Sequence, residues 1–253
     1  MNKILDLFSA ITLDKMDNVK LMNRQDIKYA FHKNKLAGLL NEVTEDYFVL
    51  EVLGGRSMEY ESVYYDTPDF HFYTSHHNGK LNRLKVRMRR YVKSDDCYLE
   101  IKFKTNKYKT IKKRRKIQSL TTPLETDTIN YLKKLSGYNY NDLENKLLTT
   151  YTRTTLVSKT KRERVTIDTN LAYTRNGITK EFPFLAIAEI KQEKVDSSPF
   201  RDLMKKAQLQ PGGISKYCFG IISMYDNVKK NNFKEKISLI KKIKSETLIG
   251  NEY

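Results

Sequence analysis

Lys85-Val86-Arg87-Met88-Arg89 decides the fold, because basic and apolar side chains alternate in it without a break. Tyr98-Leu99-Glu100-Ile101-Lys102-Phe103-Lys104 repeats the alternation. Successive side chains of a strand point to opposite sides, so a period of two marks a strand with one apolar face and one charged face. Arg87 and Arg89 therefore share a face. Like charges on neighbouring strands repel, and a polyanion held between such faces offsets the repulsion.

The same reading extends in both directions along the chain. In Arg24-Gln25-Asp26-Ile27-Lys28-Tyr29, the residues Arg24, Asp26 and Lys28 share a face. In the run from Lys112 to Lys116, Lys112, Arg114 and Lys116 face one way and Lys113 and Arg115 the other. Arg153 lies in Tyr151-Thr152-Arg153-Thr154, and Arg164, Thr166 and Asp168 share a face of the following strand. Glu189 and Lys191 share a face inside an otherwise apolar segment, where a carboxylate and an ammonium need partners or water. Alone, each segment reads equally as a solvated edge, a nucleic-acid patch or an exposed ion pair. Glu189 alone reads either as a metal ligand or as the partner of a basic side chain. Together, five or six expected strands carry Lys or Arg on one face with few acids among them, whereas a solvated sheet intersperses its signs.

Periodicity predicts helices over 2–10, 31–43 and 126–135, and three more over 200–209, 215–227 and 233–247. It predicts strands near 21–30, 46–53, 59–66, 83–92, 97–104, 110–118, 147–157, 163–169 and 184–192. Asp66-Thr67-Pro68-Asp69 is a turn signature, and Ser215 is an N-cap. Strands dominate, with helices at the ends and in one insertion, which is an α+β pattern. The expected fold is a closed antiparallel β-barrel of about eight strands, with its polar face lining the lumen and its apolar face meeting outer helices. The chain reads as one domain over 1–253, with a core of about 20–220 and a helical extension over 221–253. The lysine-rich end of that extension reads as a helix packed outside the barrel, with contact to a membrane or partner as the alternative.

At 253 residues and 39% hydrophobic composition, the chain can bury a sizeable core. Lys and Arg number 47 against 30 Asp and Glu, a net charge of +17. That balance points to polyphosphate, nucleotides, nucleic acid or an anionic membrane surface. The basic residues alternate with aliphatic ones rather than with exposed aromatics, which argues against nucleic acid. Cys97 and Cys218 form no CxxC pair, so a zinc site and a disulfide framework are both disfavoured. There is no apolar run of the roughly 20 residues that a membrane span requires, and the first ten residues do not read as a signal peptide. The expected location is the cytoplasm.

With these residues assembled, the sequence resembles the triphosphate tunnel metalloenzymes. Within them it is similar to the VTC-type polyphosphate polymerase domain, named for the vacuolar transporter chaperone complex of yeast. The resemblance runs in order over roughly 20–220. It rests on Arg24-x-Asp26-x-Lys28-Tyr29, Ser62-Val63-Tyr64-Tyr65-Asp66-Thr67, Lys85-x-Arg87-x-Arg89, Glu100-Ile101-Lys102 and Ile111-Lys112-x-Arg114. It continues through Tyr151-x-Arg153-Thr154, the run from Arg164 to Leu171, Ala188-Glu189-Ile190-Lys191 and Ser215-Lys216-Tyr217-x-x-Gly220.

The resemblance implies a tunnel enzyme that transfers the γ-phosphoryl group of ATP to a growing polyphosphate chain. It implies that Arg87, Arg89, Lys102 and Arg164 hold the transferring group. Lys28, Lys112, Arg114, Arg153, Lys191 and Lys216 would bind phosphate, with Tyr151 and Ser215 as supporting hydrogen-bonding groups. Glu189 would bind the metal, Mn²⁺ or Mg²⁺. Two departures stand out. The wider superfamily often opens with ExExK, where this chain has Arg24 and Asp26. Some relatives carry a Lys two residues before the Ser-Lys pair, where this chain has Gly213. The acid-poor opening suits a polymerase better than a hydrolase. A tripolyphosphatase or nucleoside triphosphatase on the same scaffold, a non-catalytic polyphosphate-binding module and a nucleotidyl cyclase are the alternatives. Any coupling to export would fall to a membrane-protein partner.

Overall fold

The computed structural model describes residues 2–17, 25–107, 109–140, 142–193 and 196–249. Arg24 and the start of the strand expected from 21 lie outside the described residues. In chain order the strands are β1 (Ser9–Ile11), β2 (Gln25–His32), β3 (Tyr47–Leu50), β4 (Met58–Asp66), β5 (Arg83–Tyr91), β6 (Asp96–Lys104), β7 (Thr110–Ile117), β8 (Glu144–Ser158), β9 (Glu163–Arg175), β10 (Ile178–Phe182) and β11 (Leu185–Gln192). The helices are α1 (Asn2–Leu5), α2 (Leu13–Asp17), α3 (Leu36–Asn41), α4 (His71–His77), α5 (Thr126–Ser136), α6 (Pro199–Lys206), α7 (Lys216–Met224) and α8 (Lys234–Ile249).

Eight strands form one antiparallel path in the order β2-β11-β9-β8-β4-β5-β6-β7, with β1, β3 and β10 attached to its side. The α+β architecture and the helical C-terminus are those expected. Closure is not: no ladder joins β7 to β2 among the described residues. At that seam the edge of β2 has another partner, because the Gly212 amide donates to the Lys28 carbonyl at 2.8 Å. The sheet nevertheless curls until Lys28 of β2 and Lys112 of β7 line the same cavity.

The two-residue period separates the faces. On the outside, Tyr29, Phe31, Val165, Ile167, Ala186, Ala188 and Ile190 pack with Leu36, Leu40, Phe200 and Met204 of the helices. Leu84, Val86, Met88, Leu99, Ile101 and Phe103 form a second outer core with Phe72 and Leu132. The inner face is not polar throughout. At one end Tyr64, Leu147, Tyr173 and Ile187 join Tyr217, Cys218 and Ile221 of α7 in a third core. That core also takes in Phe233, Ile240 and Ile243 around α8, while Lys234, Lys241, Lys242 and Lys244 of that helix are exposed. No helix is long and apolar enough to cross a membrane among the described residues.

Several local expectations shift. The helix expected over 2–10 stops at Leu5, because Ser9–Ile11 pairs with β3 in parallel instead. Helix α4 and strand β10 lie in stretches for which periodicity predicts no element. Strand β10 returns antiparallel to β9 through Asn176 and Gly177, both at positive φ, the geometry that Asn-Gly favours in a two-residue hairpin turn.

Candidate functional site

A cavity of about 390 Å³ lies within the curled sheet. Nine cationic side chains line it: Lys28, Lys85, Arg87, Arg89, Lys102, Lys112, Arg153, Lys191 and Lys216. Four carboxylates accompany them, Asp26, Glu100, Asp168 and Glu189. Tyr64, Tyr151 and Ser215 add hydroxyl groups, and Ile187, Ile214 and Tyr217 supply apolar wall. Of the residues expected at the site, all but Arg114 and Arg164 line this cavity.

Each of three carboxylates braces basic side chains, and each reaches at least one on a neighbouring strand. Glu100 takes Arg87 Nε at 2.7 Å and Nη2 at 2.5 Å. Glu189 lies between Lys28 at 3.1 Å and Lys191 at 2.9 Å. Asp168 takes both nitrogens of the Arg153 fork, at 2.6 and 2.8 Å, and pairs with Lys216 as well. Burial works against ionisation of Glu100, but Arg87 and Arg89 outweigh it and hold the carboxyl at about 2. Burial is likewise overcome at Glu189 by Lys191 and Lys28, and at Asp168 by Arg153 and Lys216, so both stay well below the usual carboxylate range. The cations carry the cost of this crowding. Burial, reinforced by Arg87, pushes Lys102 down to about 7. Burial pushes Lys191 down to about 8, with the Glu189 charge resisting.

Aromatic rings fix the guanidiniums. Arg89 is 5% exposed; it donates to Ser62 Oγ at 3.2 Å and lies over the rings of Tyr60 and Tyr151. Those rings are stacked 5.2 Å apart. Arg87 donates to Tyr64 Oη at 3.1 Å, and Tyr64 stacks on Tyr217 of α7. Tyr217 donates to buried Asp66, which also accepts the amides of Thr67, Phe72 and Tyr73. The Asp66 turn thus ties the start of α7, with Ser215 and Lys216, to β4. The Tyr151 hydroxyl is buried with no hydrogen-bond partner among the described residues, a donor left over for a ligand.

Arg114 sits apart from the cavity lining, 3.9 Å from Glu100 and 3.5 Å above the Tyr98 ring. Arg164 pairs in register with Lys191 but does not line the cavity. Sequence reading left Lys85, Tyr64, Glu100, Asp168 and Tyr217 without roles. Lys85 and Glu100 were signalled by the alternation itself, two residues from Arg87 and Lys102. Tyr217 carried no such signal, because a helix brings it to the wall.

No three His, Cys, Asp or Glu side chains converge as a metal site among the described residues. A divalent cation therefore fits here only when phosphate oxygens complete its shell, as Mg²⁺ commonly requires. Glu189, the carboxylate expected to bind the metal, has one oxygen on Lys28 and the other on Lys191.

No curated protein matches the chain. Among solved structures, a Hippeastrum protein named as an adenylyl cyclase, HpAC1, and described as having a dominant triphosphatase activity superposes with a TM-score of 0.51 at 12% identity. It covers 81% of this chain and 98% of its own. A Bacillus halodurans protein named as an adenylate cyclase gives 0.50 at 12% identity, over 81% of this chain and all of its own. The likeness is one of fold. The VTC domain family matches residues 23–225, a span that contains every residue lining the cavity. With most of its length inside that match, the chain belongs to the VTC domain family.

Proposed function

We propose that the chain is a metal-dependent polyphosphate polymerase that transfers the γ-phosphoryl group of ATP to the end of a polyphosphate chain. The observation that carries this reading is the geometry of the carboxylates, three of the four in the cavity lying directly on basic groups. Glu100, Asp168 and Glu189 are each locked onto basic groups and held well below the usual carboxylate range. A carboxylate of that kind is a poor general base at neutral pH. Attack by water gains from a carboxylate free to orient it and take its proton, and these three are engaged. The terminal phosphate of a polyphosphate chain is already anionic and needs none.

Phosphoryl transfer asks the protein for alignment and charge stabilisation. Arg87 and Arg89 hold the transferring group, Lys102 adds a point charge, and Tyr151 Oη donates a hydrogen bond. Lys28, Lys112, Arg153, Lys191, Ser215 and Lys216 hold the flanking phosphates. Arg114 and Arg164, outside the cavity lining, guide the anion towards it. The acceptor oxygen attacks phosphorus in line, the bond to the β-phosphate oxygen breaks, and ADP leaves. Glu189 would help to hold a Mn²⁺ or Mg²⁺, which would supply charge neutralisation to the phosphates. The test is incubation with ATP and either metal, with products resolved on a gel stained for polyphosphate. Polymer supports the reading; phosphate release without polymer assigns a triphosphatase instead.

A further inference from the structure

Three layers of the inner face match opposite charges across the ladders. Arg87 faces Glu100, Lys28 faces Glu189, and Arg153 faces Asp168. A row of lysines departs from this pattern across three successive strands. Lys85 faces Lys102 across β5 and β6, and Lys102 faces Lys112 across β6 and β7. Like charges directly opposite one another destabilise a sheet, and all three ammonium groups line the cavity. Lys85 and Lys102 form no ion pair among the described residues; Lys85 instead donates to Ser215 Oγ at 3.2 Å. Burial pushes both lysines below their ordinary range. Lys191 and Arg164 also face each other, but Glu189 accompanies Lys191, whereas no carboxylate pairs with Lys85 or Lys102 among the described residues.

We propose that Lys85 is a direct phosphate ligand, forming with Lys102, Lys112 and Ser215 Oγ a subsite at the α7 end of the cavity that takes a phosphate of the polyphosphate chain. The proposal rests on the reading of the cavity as a phosphate tunnel. The chemistry of the row favours the polymer over the nucleotide. An ammonium is a point charge without the fixed fork of a guanidinium. It holds a phosphate without dictating its orientation, as suits a chain that advances one unit per transfer. The guanidiniums that do fix orientation lie further along β5, at Arg87 and Arg89.

The test is calorimetric titration of inorganic tripolyphosphate into metal-free protein, for wild type, Lys85→Met and Lys102→Met, with the anion-free melting temperature of each. The loss of one charged hydrogen bond predicts about tenfold weaker binding for Lys85→Met. Removing one of three facing like charges predicts an anion-free melting temperature equal to or above wild type. Wild-type affinity in Lys85→Met beside weakened binding in Lys102→Met overturns the proposal. So does weaker binding accompanied by a lower melting temperature, which assigns Lys85 to bracing Ser215. Absence of tripolyphosphate binding by wild type overturns the phosphate-tunnel reading together with this subsite. Weakened binding in Lys85→Met, from a wild type that makes no polymer, upholds the subsite and removes only the polymerase.

Discussion

Arg153 and Asp168 face each other across the β8–β9 ladder and are joined by two parallel hydrogen bonds, Nε to Oδ1 at 2.6 Å and Nη2 to Oδ2 at 2.8 Å. Asp168 also receives Lys216 from the start of α7. One carboxylate thus sets two of the cavity's cations, from different elements, at a fixed separation. Removing one member of such a buried set leaves the others uncompensated, at a cost of about 3–5 kcal/mol. Asp168→Asn is expected to lower stability by about 3 kcal/mol, read as a shift in the urea midpoint at neutral pH.

The acid limb of stability follows from the same carboxylates. Glu100 is held at about 2, and Asp168 lies well below its ordinary value. Groups depressed in the folded state contribute stability that is complete above their unfolded values of about 4 and is lost as pH falls through the folded values. Urea midpoints are therefore expected to fall steeply between about pH 4 and about pH 2. Asp168→Asn should show a shallower fall over that window.

Lys102, held at about 7 by burial and Arg87, gives opposite signs for binding and for stability. It is charged below that value, so tripolyphosphate affinity should decline as pH rises from about 6 to about 8.5. Without an anion, the folded state binds fewer protons here than the unfolded chain between about 7 and about 10.4, so stability from this group should rise with pH across that window. Titration of ligand at several pH values, for wild type and Lys102→Met, checks the first sign. The variant should lose most of the pH dependence.

Gly220 lets α7 lie directly against the sheet. A Cβ there would come within 2.5 Å of Leu147 Cδ1 and 2.7 Å of the Tyr173 ring. Gly220→Ala is expected to cost about 1–3 kcal/mol by overpacking, and to weaken tripolyphosphate binding because Ser215 and Lys216 begin that helix. Melting temperature and ligand affinity should fall together. Unchanged values for both would show that α7 has room to move.

Much of the site was legible because alternation is a local property. Lys85 to Arg89 and Tyr98 to Lys104 declared their faces without reference to the rest of the chain, and the structure places both charged faces around one cavity. Closure was not legible, since it depends on whether the two end strands meet, and Gly212 takes up part of the β2 edge instead. Helix α4 has no helical signature in the sequence because it is seven residues long and opens from Phe70 at φ 61°, a residue that cannot cap, its first amides going to Thr67 and Asp66 of the preceding turn instead. Strand β10 carries a local signal in Asn176-Gly177, the turn dipeptide that precedes it, but its own five residues have no two-residue hydrophobic period. Parity alone could not separate Arg153, which lines the cavity, from Arg164, which shares its face but does not. Nor could it show that Glu100, Asp168 and Glu189 act first as braces for cations.

The central claim is that this cavity moves a phosphoryl group from ATP to phosphate rather than to water. It is tested most directly by following γ-labelled ATP with Mn²⁺ or Mg²⁺ and measuring where the label goes. The account predicts ADP and label in a polymer ladder in equal amounts, with both lost in Arg89→Met. ADP accompanied by label only in free phosphate would contradict it.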